Sequence, residues 1–499
     1  MELQFKKESI SCLETVLRDV QNIEQTQELR LTDGMPDIGR ILSAWGQVIL
    51  RGKEWLSNAV TLSGGMMVWV LYLPEDGSGP RCMDTWVPFQ TRWDLPANTP
   101  EGNIRVECLT RFVDARSVSA RKIMLRCGIA ALAEVYAPDE KMLYTPEKIP
   151  EDVQLLRRTY PVRLPKEAGE KTFLMDEELH LTASAPQPEK LIYYRMTPVV
   201  NDQKVMANKV VFRGNAGLHL LYAAEDGQLQ SWDFELPFSQ FAELDRNHSG
   251  EAEADILLGT TSMELDLDDE GQLHFKCGLV GQYLVNDLHM LELVEDAYST
   301  TRELETEEEA LRLPSILESR QESISGEQTM NVDADLVADA TFLTDYPRQR
   351  QMEDRIRLEL PGTFQMLYYG PGGTLQSAIT RWEGTVDILS HPDSCLSAIL
   401  TGKNDIQTIT GSGTVTVRSE SEMHLTTTSE QGIPMVTGLE LGEEKEPDES
   451  RPSLILRRAG QTSLWDMAKT SGSTVETIKK ANNLEGEPAV GQMLLIPVS

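Results

Sequence analysis

Little in these 499 residues suits catalysis, redox work or membrane insertion. The longest apolar run, Met66 to Leu73 (MMVWVLYL), is far short of the ~20 residues that a membrane helix needs, and it predicts a buried strand instead. Six cysteines (Cys12, Cys82, Cys108, Cys127, Cys277 and Cys395) stand without CxxC spacing. That spacing argues against a zinc site or dithiol and predicts reduced, mostly buried thiols. The seven histidines show no HExxH or other ligand pattern, and no G-x-S-x-G is present. Gly370 to Thr374 (GPGGT) lacks the Gly-Lys-Ser/Thr of a phosphate loop and reads as a turn. The segment D266LDDEG271 begins like a calcium loop, but Cys277 stands at the twelfth position, where a bidentate Glu is needed; a hairpin turn is expected. No enzyme activity, cofactor or metal is expected.

Positive charge is scarce too. There are 46 Lys and Arg against 79 Asp and Glu, a formal net charge of −33. Such a surface repels nucleic acid and anionic lipid, so neither a nucleic-acid partner nor membrane insertion is expected. The deficit is uneven: Arg451 to Ser499 carries six basic and four acidic residues, a balance of +2 that leaves −35 on the rest. This is a mildly basic tip on an acidic body. The first residues, MELQFKKESI, have no apolar stretch after their lysines, so no secretory signal is read and a cytoplasmic chain is expected.

What the chain does have is internal repetition. At a spacing of 150 residues, Glu28, Leu29, Leu31, Thr32, Pro36, Val60, Gly64 and Tyr72 coincide with Glu178, Leu179, Leu181, Thr182, Pro186, Val210, Gly214 and Tyr222. A weaker third copy aligns L367YYGPGGTLQS377 with L221YAAEDGQLQS231, and its first half, before about residue 335, is poorly matched. A repeat this long is a duplicated domain. Within each copy the apolar pattern has period two, with hairpins through Val113, Ala115, Ile123 and Leu125 and through Leu265, Leu267, Leu273 and Phe275. The expected fold is mainly β: two to three repeated β-rich domains of sandwich or barrel type, plus a small C-terminal β-α-α-β module. Copy one is assigned to 1–145, copy two to 146–300 and a partial copy three to 336–439. Acidic segments fall between them, 301–335 read as a linker with a solvated helix and 440–452 as a flexible linker.

The module, 453–499, opens with the strand Leu454 to Leu456. Ser463 with Asp466, and Ser473 with Glu476, have capping-box spacing for two helices. Gly472 ends the first helix, Asn482 and Asn483 suit the end of the second, and Leu494 to Pro497 close the sheet.

Gly460, Thr462, Met467, Ala468, the Asn482 to Leu484 segment and Gly491 to Pro497 closely resemble the LysM domain. That resemblance implies a groove for N-acetylglucosamine polymers between two loops, here Gly460, Gln461, Thr462, Ser463, Leu464 and Trp465 on one side and Asn483, Leu484, Glu485, Gly486 and Glu487 on the other. Gln461 departs from the family's usual Asp. The repeated pattern from Glu28 to Tyr72 resembles the SPOCS domain, formerly a domain of unknown function. SPOCS copies followed by LysM resemble spore-coat morphogenetic proteins of the SipL/SpoVID type. The resemblance implies a mother-cell cytoplasmic adaptor at the forespore surface, whose LysM docks to the coat's basement-layer ATPase. The alternative is a tether that binds peptidoglycan or another N-acetylglucosamine polymer.

Overall fold

Long alternating runs become long strands, and the strands recur in sets. The computed structural model describes residues 1–182, 184–268, 271–401, 405–429, 431–445 and 452–498. The first set is β1 (Phe5–Arg30), β2 (Ile38–Leu56), β3 (Ala59–Pro74), β4 (Arg81–Asp94), β5 (Asn103–Ser119) and β6 (Lys122–Pro146). It makes two antiparallel sheets, ordered β2-β3-β4 and β1-β6-β5. Their apolar faces meet: Val60, Leu62, Val68 and Val70 of β3 share a core with Ile123, Leu125, Cys127 and Ile129 of β6. Such burial is the main favourable term holding the two layers together. The Met66 to Leu73 run is the second half of β3, a strand as expected.

The second set repeats the plan with β7 (Val153–Leu179), β8 (Pro188–Met206), β9 (Lys209–Ala224), β10 (Leu229–Glu243), β11 (Glu253–Leu267) and β12 (Leu273–Ser299), in sheets β8-β9-β10 and β7-β12-β11. The coincident residues of the repeat have physical reasons. The Tyr72 hydroxyl donates to the carbonyl of Pro36 at 3.1 Å, and Tyr222 does the same to Pro186 at 2.8 Å. Gly64 faces the Ile49 carbonyl and the Phe89 ring, and Gly214 faces the Val199 carbonyl and the Phe238 ring, so neither site has room for a Cβ. Register breaks between β2 and β3 at Ile38/Arg40, Ile41/Ser43 and Leu50/Gly52 recur between β8 and β9 at Pro188/Lys190, Leu191/Tyr193 and Val200/Asp202. The repeat therefore preserves bulges, which bend and twist a sheet, as well as side chains.

The third set holds β13 (Arg302–Arg312), β14 (Ser315–Met330), β15 (Leu336–Thr344), β16 (Arg348–Gln351), β17 (Arg355–Gly370), β18 (Thr374–Leu389), β19 (Ser394–Leu400), β20 (Asp405–Gly411), β21 (Thr414–Ser429) and β22 (Gly432–Glu444). Long strands of the earlier sets are here broken in two. Pro314 interrupts β13 and β14, and Pro347 interrupts β15 and β16, because proline offers no N–H to the ladder. This corrects three expectations. Residues 302–312 form no helix; they pair antiparallel with β22, with Leu311 buried against Met435, Val162 and Leu293. The first half of the third copy is present, because β14 pairs with β21 from Ser315↔Ser429 to Met330↔Val415. Glu440 to Glu444 belong to β22 and not to a linker, while 446–451 lie outside the described residues. Pairing to a neighbouring strand outweighs the helix propensity of a Glu-Ala-Leu sequence.

The sets share cores. Trp45 of the first stacks on Tyr193 of the second with ring centroids 4.6 Å apart, and one cluster joins Ala130, Leu257, Tyr346 and Ile399 from all three. The chain ends in β23 (Leu454–Arg458), α1 (Leu464–Ser471), α2 (Val475–Asn482) and β24 (Met493–Pro497), the β-α-α-β order expected. Among the described residues no helix is long and apolar enough to cross a membrane.

Candidate binding site

The C-terminal module is built from local rules. Ser463 caps α1, its hydroxyl accepting from the Asp466 amide at 3.1 Å, and Gly472 ends the helix in the left-handed region at φ 65°. The second cap is Thr474, not Ser473: its hydroxyl accepts from the Thr477 amide at 3.0 Å. Ser473 is buried, and its carbonyl accepts from the Tyr298 hydroxyl at 2.8 Å. Asn483 closes α2 in the left-handed region. The Asn482 side chain bridges to β24, donating to the Leu495 carbonyl at 2.6 Å and accepting from the Leu495 amide at 2.7 Å.

The two loops of interest sit beside one another. Ala459 donates to the Gln492 carbonyl at 2.7 Å and accepts from the Gly491 amide at 2.8 Å, which ties the end of one loop to the end of the other. Gly460, Gln461, Thr462 and Ser463 are exposed on the first, and Asn483, Glu485, Gly486 and Glu487 on the second. Leu464 is fully buried with Met467, Ala468, Ile478, Leu494 and Ile496, and Leu484 is half-buried against them. These two position the loops.

Trp465 points elsewhere. Its indole N–H donates to Asp296 at 2.7 Å, and its ring meets Tyr298 edge-on at 4.8 Å. Lys469 reaches the same carboxylate at 2.7 Å. Asp296 and Tyr298 lie at the end of β12, so the second repeat holds the module through α1. Sequence reasoning missed this contact, because the partners are 169 residues apart.

A second feature without a sequence signal is a polar junction between the repeats. Arg105 of β5 is almost fully buried and donates to Asp255 of β11 at 2.7 Å, with Glu134 of β6 3.8 Å away. Glu134 also accepts from Arg18 at 2.8 Å and from Tyr136 at 3.0 Å. Burial disfavours the charge on Arg105, but Asp255 and Glu134 outweigh it and raise its pKa. Burial pushes Glu107 up to about 8 even though Tyr346 of the third repeat donates to it at 2.7 Å. The Gln282 amide pairs with both backbone groups of Val106, at 2.9 and 2.8 Å. A cavity of about 360 Å³ opens here, lined in part by Gln47, Arg195, Asp255, Ser421 and His424. Among the described residues no group of His, Cys, Asp and Glu is arranged to hold a metal. The cysteines are all free; Cys12, Cys127 and Cys277 are buried, whereas Cys395 is exposed.

One stretch of the second repeat matches a known family. Residues 187–265 match the SipL, SPOCS domain. The SPOCS match runs over β8, β9 and β10 and almost all of β11. The family is sporulation-related and is not a family of enzymes. No curated protein and no solved structure matches the chain.

Proposed function

We propose that this protein is a non-enzymatic adaptor of spore-envelope assembly that works in the mother-cell cytoplasm on the forespore surface. In this reading the SPOCS-type repeats form one acidic platform, and the LysM-like module docks to a protein of the coat's basement layer, an ATPase in proteins of the type this chain resembles. The observation that carries the proposal is the SPOCS match at 187–265, together with the recurrence of its bulges, at the same spacing, in the first repeat. The exposed loop residues Gly460 to Ser463, Asn483 and Glu485 to Glu487 support the docking role.

The deciding experiment compares the full chain with a chain truncated after Lys445. Loss of recruitment to the forespore with normal expression supports docking by the module, and unchanged localisation sinks it. The glycan reading is tested on the same pair by titration with chitin oligomers. Saturable binding that is lost on truncation, with recruitment unaffected, would make the module a glycan tether instead.

A further inference from the structure

The two-stranded sheet of the module has one covered face and one bare face. Leu494 and Ile496 turn inward beneath the helices and are fully buried. The other parity turns outward in three cross-strand rungs: Leu454 with Pro497, Leu456 with Leu495, and Arg458 with Met493. Leu456 is 62% exposed, and Val490, in the loop leading to β24, is 87% exposed. Five of the nineteen large apolar side chains exposed among the described residues fall in this one small module, whereas the rest are scattered over the repeats. A contiguous apolar strip of this kind marks an interaction surface, while single exposed residues do not. Arg458 ends the strip as its one charge, and among the described residues it makes no ion pair.

We infer that this sheet face receives an amphipathic segment of a second protein, apolar along its middle and ending in a carboxylate that meets Arg458. The inference rests on the module being the docking end and adds which face docks and what chemistry fits it. Charge selects among occupants. The formal net charge of −33 opposes a second copy of this chain and opposes an anionic bilayer. A partner protein that is neutral or basic overall, with acid only at the end of the docking segment, avoids both penalties. The Arg458 pair then gives register, and the leucines give most of the affinity.

The test uses the full chain with photoreactive p-benzoylphenylalanine in place of Leu456 or, separately, of Thr462. Each is illuminated in sporulating-cell lysate, and the cross-linked peptides are sequenced by mass spectrometry. The expected result is one segment of a different protein, apolar with a terminal Asp or Glu, captured from position 456. Leu454→Glu with Leu495→Glu lowers that yield at least about tenfold at an unchanged melting temperature, because both side chains already face water. Arg458→Glu lowers it too, and a Lys in place of the partner's carboxylate restores it. Capture from position 462 alone overturns the inference and leaves docking by the module standing. Capture of this chain or of lipid from position 456 also overturns it. No protein captured from either position overturns both readings.

Discussion

At the scale of the residue, the repeat preserves contacts that leave no room for substitution. A Cβ on Gly214 would collide with the Val199 carbonyl, and one on Gly64 with that of Ile49. Backbone cannot yield as a side-chain tip can, so Gly64→Ala and Gly214→Ala are each expected to lose about 1–3 kcal/mol, read from urea midpoints. Two titrating groups set a pH dependence. Burial holds Glu107 up to about 8. His219, whose two ring nitrogens lie 2.7 Å from Asp233 and 2.8 Å from Asp339, is disfavoured as a cation by burial, but those carboxylates outweigh it and hold its pKa at about 9. Both values lie above those of the unfolded chain, near 4.3 for Glu and 6.5 for His. Each contribution is therefore fully present below its unfolded value and is lost as pH rises through the folded one. Melting temperature should fall as pH rises from about 4.5 to about 9, and His219→Gln should remove the part of that slope lying between about pH 6.5 and 9.

At the scale of the element, the sequence was most legible where local rules govern. The period-two runs, the hairpins at Leu267/Leu273 and Ala115/Leu125, and the order of the C-terminal elements all follow from patterning and caps. It was least legible where a distant strand decides. The run from Glu303 to Leu311 has helical composition, yet β22 pairs with it, and its acids line an exposed edge strand, where charge discourages stray pairing. The second cap slipped by one residue: Thr474 takes the cap position, while Ser473 is buried with its backbone carbonyl accepting from Tyr298, a partner 175 residues away. Within the loops, the resemblance to LysM named residues that are mostly exposed, but Leu464 is core and the sequence could not show Trp465 turned toward Asp296. Asp296→Ala removes the acceptor of both Trp465 and Lys469. Because the contact is partly exposed, the expected loss is only about 1 kcal/mol, with faster hydrogen exchange along α1 and an unchanged melt of the repeats.

At the scale of the molecule, the three repeats behave as one body. Shared aromatic packing and the Arg105 junction predict a single calorimetric transition for residues 1–445, not three. Arg105→Ala takes the cation from Asp255, while Glu134 keeps Arg18 at 2.8 Å, so a loss of about 3 kcal/mol, the low end for breaking a buried pair, is expected, together with a broadened or split transition. The same closure has a consequence for biogenesis. The Leu3 amide donates to the Leu439 carbonyl at 2.9 Å, and the Leu441 amide donates to the Met1 carbonyl at 2.9 Å. These are contacts of near-maximal sequence separation, and a ribosome adding roughly 5–20 residues per second leaves Leu3 waiting some tens of seconds for its partner. During synthesis the edge of β22's future neighbour stands open, which makes the nascent chain, and not the finished protein, the form most in need of a chaperone.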